Sequence, residues 1–242
     1  MTDKKVALIT GANKGLGFET ARQLGKQNIK VLVGARDEAR GREAAEKLQS
    51  EGFDAEFVLI DVTNEKTLEA AAKNVEENYG KLDILINNAG IANEYGLAPG
   101  EIDLELIRQT FDTNFFGVIA VTKSFLPLIK KSDGGRIVNV SSGLGSLAQN
   151  SDPNWDFAAV KPLAYNSSKA ALNMFTVILA AELKDTKIKV NAADPGYTAT
   201  DLNHNSGPKT VEQGASIIFD LATLPESGAT GGYFDDQGVV PW

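Results

Sequence analysis

Cysteine is absent from this chain, which excludes disulfides, thiolate nucleophiles and thiol ligation of metals and suits a reducing cytoplasm. Histidine occurs once, as His204 in the polar run Asn203-His204-Asn205. That removes most histidine-centred mechanisms, reads as a solvated loop position, and leaves no metal-binding set to expect. Basic residues are in the minority, 24 against 32 acidic ones, for a formal net charge of -8. Such a balance disfavours nucleic acid and anionic membrane as partners. No run of about 18 uncharged apolar residues occurs, so no membrane span is expected. The first residues, Met1-Thr2-Asp3-Lys4-Lys5, lead straight into an apolar segment, with no room for a signal peptide. Repeats, low-complexity tracts and linkers are also missing. The 242 residues, 43% of them hydrophobic, therefore read as one domain spanning 1–242.

Against these absences stands one organising stretch, Tyr165-Asn166-Ser167-Ser168-Lys169. Four residues apart on a helix, a tyrosine and a lysine share one face, one turn above the other. A nearby ammonium favours the phenolate, so the hydroxyl exchanges its proton more readily than its usual pKa of about 10 allows. Carbonyl reduction and alcohol oxidation both need such a proton. The pair also arises by chance in exposed helices, so its meaning depends on the rest of the chain.

Val6 to Thr10 is an apolar strand that ends in Gly11-Ala12-Asn13-Lys14-Gly15-Leu16-Gly17, beyond which Phe18, Ala21 and Leu24 recur at helical spacing. Strand, glycine turn and helix are the context for a bound pyrophosphate; a purely structural turn has the same pattern. A second strand, Ile29 to Gly34, is followed by Ala35, Arg36 and only then Asp37. A free ribose 2′-hydroxyl calls for an acid at that tip. Arg36, with Lys14 from the first turn, instead suits a 2′-phosphate, so NADP(H) is expected in preference to NAD(H). The alternative makes both cations plain surface charges.

A helix is expected over Ala39 to Leu48 and a strand over Ala55 to Ile60, closed by Asp61, whose carboxylate either meets an adenine amino group or forms a turn with Thr63. Leu68 to Tyr79 trace a helical stripe, and Leu82 to Ile86 a fourth strand, followed by Asn87-Asn88-Ala89-Gly90. Alternating strands and helices predict a parallel sheet with right-handed crossovers and ligands at the strands' carboxyl ends. Ile91 to Gly100 reads as a loop, and a helix from about Glu101 to Lys130 carries Asn114, which is either a satisfied core amide or a functional one. Arg136 to Val140 is a fifth strand ending in Ser141-Ser142-Gly143. Gly143 to Pro162 is a polar connection with Trp155 and Phe157, and Tyr165 opens a helix to Leu183. Ile188 to Ala192 is a sixth strand, closed by Asp194-Pro195-Gly196-Tyr197-Thr198-Ala199-Thr200. A helix over Thr210 to Leu224 and a short strand in Gly231 to Phe234 complete the pattern.

Thr10-Gly11-x3-Gly15-x-Gly17, Asn87-Asn88-Ala89-Gly90, Asn114, Ser142, Tyr165-x3-Lys169 and Pro195-Gly196 occur in one order. Together they resemble the short-chain dehydrogenase/reductase family over essentially the whole chain. Asn13-Lys14-Gly15, Ala35-Arg36-Asp37, Thr113 to Gly117 and the ending from Thr230 to Trp242 are most similar to its carbonyl-reductase group. The resemblance implies an α/β fold: one Rossmann-type doubly wound domain of about seven parallel strands with helices on both faces. Its dinucleotide part would cover about 1–90 and its catalytic and substrate part about 91–242. It implies that Tyr165 is the general acid of reduction, that Lys169 lowers its pKa and holds the nicotinamide ribose, that Ser142 (rather than Ser141) binds the substrate oxygen, and that Asn114 holds a relay water. Gly11, Asn13, Lys14, Gly15, Leu16, Gly17 and Arg36 would take the phosphates. Asp61 and Val62 would flank the adenine, and Asn88, Ala89 and Gly90 the adjoining ribose. Pro195, Gly196, Thr198 and Thr200 would line the nicotinamide.

The chain departs from the family pattern in two places. Thr198 replaces a usual aliphatic residue, and the gap from Ser142 to Tyr165, 23 positions, is longer than usual. Trp155 and Phe157 in that gap either wall the substrate pocket or belong to a surface loop. The expected activity is NADPH-dependent reduction of small-molecule ketones, aldehydes or quinone-like carbonyls. Alternatives are an alcohol or polyol dehydrogenase working oxidatively and a catalytically silent NADP(H)-sensing protein. Two helices, Phe115 to Ile129 and Ala170 to Leu183, are apolar over more than one face, which leaves monomer and homo-oligomer both open.

Overall fold

The apolar runs assemble as one sheet. The computed structural model describes residues 4–94 and 97–242; Tyr95 and Gly96, within the expected loop at 91–100, and the first three residues lie outside the described residues. The strands are β1 (Val6–Thr10), β2 (Lys30–Ala35), β3 (Ala55–Leu59), β4 (Ile84–Asn87), β5 (Arg136–Val140), β6 (Lys189–Ala193), β7 (Tyr233–Asp235) and β8 (Gly238–Val239). Their order is β3-β2-β1-β4-β5-β6-β7-β8, parallel as far as β7. Seven parallel strands were expected, and the described residues add an eighth, the two-residue antiparallel β8, which the tight turn after β7 folds back.

Side chains alternate across each strand. Val6 and Leu8 of β1 enter one buried cluster while Ala7 and Ile9 enter the other, so the sheet has a core on each face. The first core is closed by α3 (Glu65–Tyr79), α5 (Gly117–Ile129) and α7 (Leu163–Glu182), through residues such as Val75, Phe125 and Leu179. The second is closed by α1 (Gly15–Lys26), α2 (Glu38–Ser50) and α8 (Val211–Ala222), through Leu24, Leu48 and Ile218. A fully buried Leu, Ile or Phe contributes about 1.5–3 kcal/mol, so these two layers hold the sheet.

The helix expected over 101–130 departs from a regular rod. It begins as α4 (Leu104–Phe111), whose first turn is capped by the Asp103 side chain accepting from the Glu105 amide. It passes through a π-helical turn at Asp112–Phe116 before continuing as α5. The connection at 143–162 also has structure of its own, a 3₁₀ turn at Gly143–Gly145 and a short α6 (Leu147–Ser151). That segment is tied to the end of the chain: Ser146 Oγ donates to the Pro241 carbonyl at 2.6 Å, and the Ala148 amide to that of Trp242 at 3.0 Å. Sheet order reverses between β1 and β4. Their carboxyl ends open into the glycine turn and the Asn87–Gly90 turn, which is where doubly wound sheets bind their ligands.

Candidate active site

The glycine turn follows β1 directly. Gly11 and Gly15 adopt positive φ of 65° and 56°. Gly17 serves close approach, since a Cβ there would lie 2.5 Å from Asn88 Nδ2 and 2.7 Å from the Gly11 carbonyl. Asn88 braces the two turns, its amide nitrogen donating to the carbonyls of Thr10 at 2.8 Å and Gly11 at 3.2 Å. Thr10 Oγ1 accepts from the backbone of Asn88 and of Ala89, both at 3.0 Å. The result is a glycine-lined cradle at a helix N-terminus, which fits a dinucleotide pyrophosphate. Asn13 is half-buried within it, and Leu16 packs on the core below.

Arg36 follows β2 and is exposed at its tip. Lys14 occupies the N-cap position of α1, but its ammonium is paired with Asp201 at 2.6 Å, both side chains being more than half exposed. A pair so exposed is weak, about 1 kcal/mol or less, and yields readily to a phosphate. Asp61 Oδ1 accepts from the Thr63 amide at 3.0 Å and the Thr63 hydroxyl at 2.7 Å, so the turn with Thr63 is formed. Val62 is buried against Gly117 at the start of α5.

Tyr165 and Lys169 lie one turn apart on α7 and are both buried, with 9% and 4% of their surface exposed. Leu163 and Ala164, whose amides open the helix, donate to the carboxylate of Glu94 at 2.9 and 2.6 Å. A buried acid thus completes the N-terminus of the helix that carries the tyrosine and meets its positive dipole end. Sequence reading missed Glu94, since its partners lie about 70 positions away and nothing local marks it.

Asn114 stands in the π-helical turn and is fully buried. It accepts from the Ile91 amide at 2.8 Å and donates to the Ile91 carbonyl at 2.9 Å and to Ser168 Oγ at 3.1 Å. Its side chain therefore pins the strand-end segment after Gly90 to α7. Such π turns recur at functional sites. Beside it, a Cβ on Gly90 would lie 3.6 Å from Lys169 Nζ.

The paired serines separate cleanly. Ser141 Oγ donates to Asn173 Oδ1 at 2.6 Å, inside the protein. Ser142 Oγ accepts from the Leu144 amide at 3.3 Å and stands near enough to the Tyr165 side chain to act on its ionisation. Burial pushes the Tyr165 phenol up to about 12; Ser142 opposes this and the charge of Asp194 adds to it. The expectation of a tyrosine depressed by its lysine is thus corrected: burial raises the phenol, and Lys169 is not among the groups that act on it. Lys169 turns its Nζ to the Val140 carbonyl at 2.7 Å and sits 5.6 Å from the ring centre. Burial brings Lys169 itself down to about 8.

The Pro195–Thr200 segment closes the site. Thr198 is buried, its hydroxyl shared between the carbonyls of Pro195 at 3.1 Å and Gly196 at 3.3 Å, and its side chain packs on Gly214 of α8. Its side chain is thereby committed to the Pro195–Gly196 turn and α8, and its carbonyl accepts from Asn203 Nδ2 at 2.8 Å. Thr200 lies against Gly15, 3.8 Å from a Cβ built there. Trp155, Phe157 and Tyr197 form an edge-to-face row with ring centres 5.5 and 5.7 Å apart. Trp155 comes within 3.3 Å of a Cβ on Gly143, next to Ser142, so the row stands beside the serine rather than on a detached loop.

A strand order reversing at a glycine turn is that of the doubly wound dinucleotide-binding domains. The profile of the short-chain dehydrogenases matches residues 5–210, and the chain belongs to that family. It is 41% identical over 229 residues to the short-chain dehydrogenase anuI of Penicillium roqueforti (strain FM164), covering 91% of this chain and 89% of that one. It is 34% identical over 280 aligned residues to carbonyl reductase [NADPH] 1 of Rattus norvegicus, covering 100% and 99%. The NADPH-bound carbonyl reductase from chicken fatty liver superposes with a TM-score of 0.86 at 28% identity over 99% of both chains. No helix among the described residues is long and apolar enough to cross a membrane.

Proposed function

We propose that this oxidoreductase reduces ketones, aldehydes or quinone-like carbonyls to alcohols with NADPH. The observation that carries the reading is the buried Tyr165 phenol, near Ser142 and one turn from Lys169, whose Nζ lies 3.6 Å from a Cβ built on Gly90 at the end of the Asn87–Gly90 turn. A reduced nicotinamide bound there supplies hydride. Ser142 orients the carbonyl oxygen and stabilises charge developing on it. Tyr165 delivers its proton to that oxygen. A phenol held up at about 12 carries its proton at neutral pH but gives it up less readily, so donation depends on a cation that favours the tyrosinate. Lys169, freed from the Val140 carbonyl, holds ribose hydroxyls and favours the tyrosinate left after donation. Asn114 positions this corner and a water that returns the proton from solvent. The aromatic row from Trp155 to Tyr197 gives the pocket an apolar wall suited to ring-bearing substrates. One domain would do all this, with its dinucleotide part at about 1–90, in a reducing cytoplasm that suits a chain without cysteine.

Arg36 at the β2 tip, Lys14 in the turn and the lack of an acid at the tip support NADP(H) over NAD(H). The test is a panel of carbonyls followed by loss of NADPH absorbance, with NADH in parallel. Turnover is expected with NADPH on cyclic and aromatic ketones or quinones. Activity confined to NAD-driven alcohol oxidation would reject the reading. Arg36→Asp is expected to weaken NADPH by about 10-fold or more, through loss of a charge-assisted phosphate contact, and to leave NADH nearly unchanged. An unaltered ratio of the two affinities would remove Arg36 from the phosphate site.

A further inference from the structure

Asp194, the residue after β6, is buried to 9% exposure, yet the proposed chemistry assigns its carboxylate no task. Its Oδ1 accepts from the Gly196 amide at 2.9 Å, a local bond that resembles an ordinary Asx turn. Its Oδ2 stands against the Gly143 backbone, whose amide favours the charged carboxylate. That second contact crosses to another strand end and reaches the residue next to Ser142. A Cβ on Gly143 would lie 2.9 Å from Asp194 Oδ2, so the glycine is what lets the carboxylate come so near.

We propose that Asp194 is a positioning residue, whose single buried carboxylate clasps the loop bearing Ser142 to the turn that opens the Pro195–Thr200 segment. The inference rests on the carbonyl-reductase reading, because it fixes the hydroxyl that orients the substrate oxygen relative to the surface that flanks the nicotinamide. Misplacing such a group by about 1 Å costs up to about 100-fold in rate.

The carboxylate has a second effect, through its charge. The titratable groups around it are Tyr165, Tyr233, Asp235 and Lys209, and Lys209 also pairs with Asp236 at 2.8 Å. Burial raises the pKa of Asp194, while the Gly196 and Gly143 amides and Lys209 oppose that rise and Asp235 adds to it. Asp194 in turn favours the neutral form of Tyr165. Removing its charge eases ionisation of the phenol, so the loss of reductive activity at high pH begins at lower pH.

The experiment compares wild type, Asp194→Asn and Gly143→Ala by kcat and KM across pH, by thermal melting and by amide hydrogen exchange at Gly143 and Gly196. Asn keeps the shape and removes the charge; it is expected to lower kcat about 10-fold with little change in the KM for NADPH, to shift the basic limb to lower pH, and to speed exchange at both amides. Ala at 143 displaces the carboxylate but keeps its charge; it is expected to lower kcat and leave the basic limb in place. An Asn variant with wild-type kcat per folded molecule, an unmoved limb and unchanged exchange overturns the proposal. Should Asn fail to fold, the Ala variant decides: a kcat and a Gly143 exchange rate equal to wild type overturn it. A wild type that reduces no carbonyl defeats the functional reading instead, and amide exchange then still tests the clasp.

Discussion

Tyr165→Phe is expected to lower kcat for carbonyl reduction by about 10²–10⁴-fold, the range associated with a positioned general acid. The substitution removes one oxygen and keeps the ring, which is buried where α7 meets the Ser142 loop. Coenzyme binding should therefore stay within about 2-fold, and the fold should lose no more than the roughly 1 kcal/mol of one hydrogen bond. Pairing the rate with a direct NADPH binding titration separates the chemical step from assembly of the site. A variant that keeps near-normal kcat would mean that another group protonates the substrate, and the assignment of Tyr165 would fall.

Lys169→Met should act on both chemistry and stability. Without the ammonium, turnover falls and NADPH is held less firmly, in contrast to the tyrosine variant. Stability without coenzyme has a distinct pH signature. Burial lowers Lys169 to about 8 from an ordinary 10.5. Below pH 8 the amine is protonated in both the folded and unfolded chain, so the folded form bears the whole cost of a buried charge. Between about 8 and 10.5 the unfolded chain binds the proton that the folded one has released, and stability from this group rises with pH. The two pKa values differ by enough to account for about 3 kcal/mol. Urea unfolding from pH 7 to 10 should show wild type gaining on Lys169→Met by an amount of that order. Parallel profiles would show that the amine carries no such burial cost. Tyr165 contributes in the opposite sense, and only higher up: raised to about 12, it loses stability as pH climbs from 10.

What the sequence made legible was what its local spacing encodes. Apolar runs of five or six residues gave the strands, and the glycine turn after Val6–Thr10 gave the switch point of the sheet. The four-residue step from Tyr165 to Lys169 gave one helical face. The groups it hid are those whose partners are distant in the chain. Glu94 meets the amides of Leu163 and Ala164, and Asp194 comes against Gly143, only after the sheet has formed. Asp61 was readable both ways, because an acid two residues before a threonine makes a turn as easily as it meets a ligand; the turn forms through Oδ1. Lys14 looked like half of a phosphate site, and its pairing with Asp201 depends on a loop 187 positions further on. The π turn around Asn114 has no periodic signature, since it adds a residue to a helix whose pattern otherwise continues. A polar composition likewise hid α6 within the stretch from Gly143 to Pro162.

That stretch is stitched to Pro241 and Trp242, and its aromatic row leans on Tyr197. A segment anchored at both places keeps its shape whatever binds beside Ser142, so under the proposed reading little chain entropy is lost on binding.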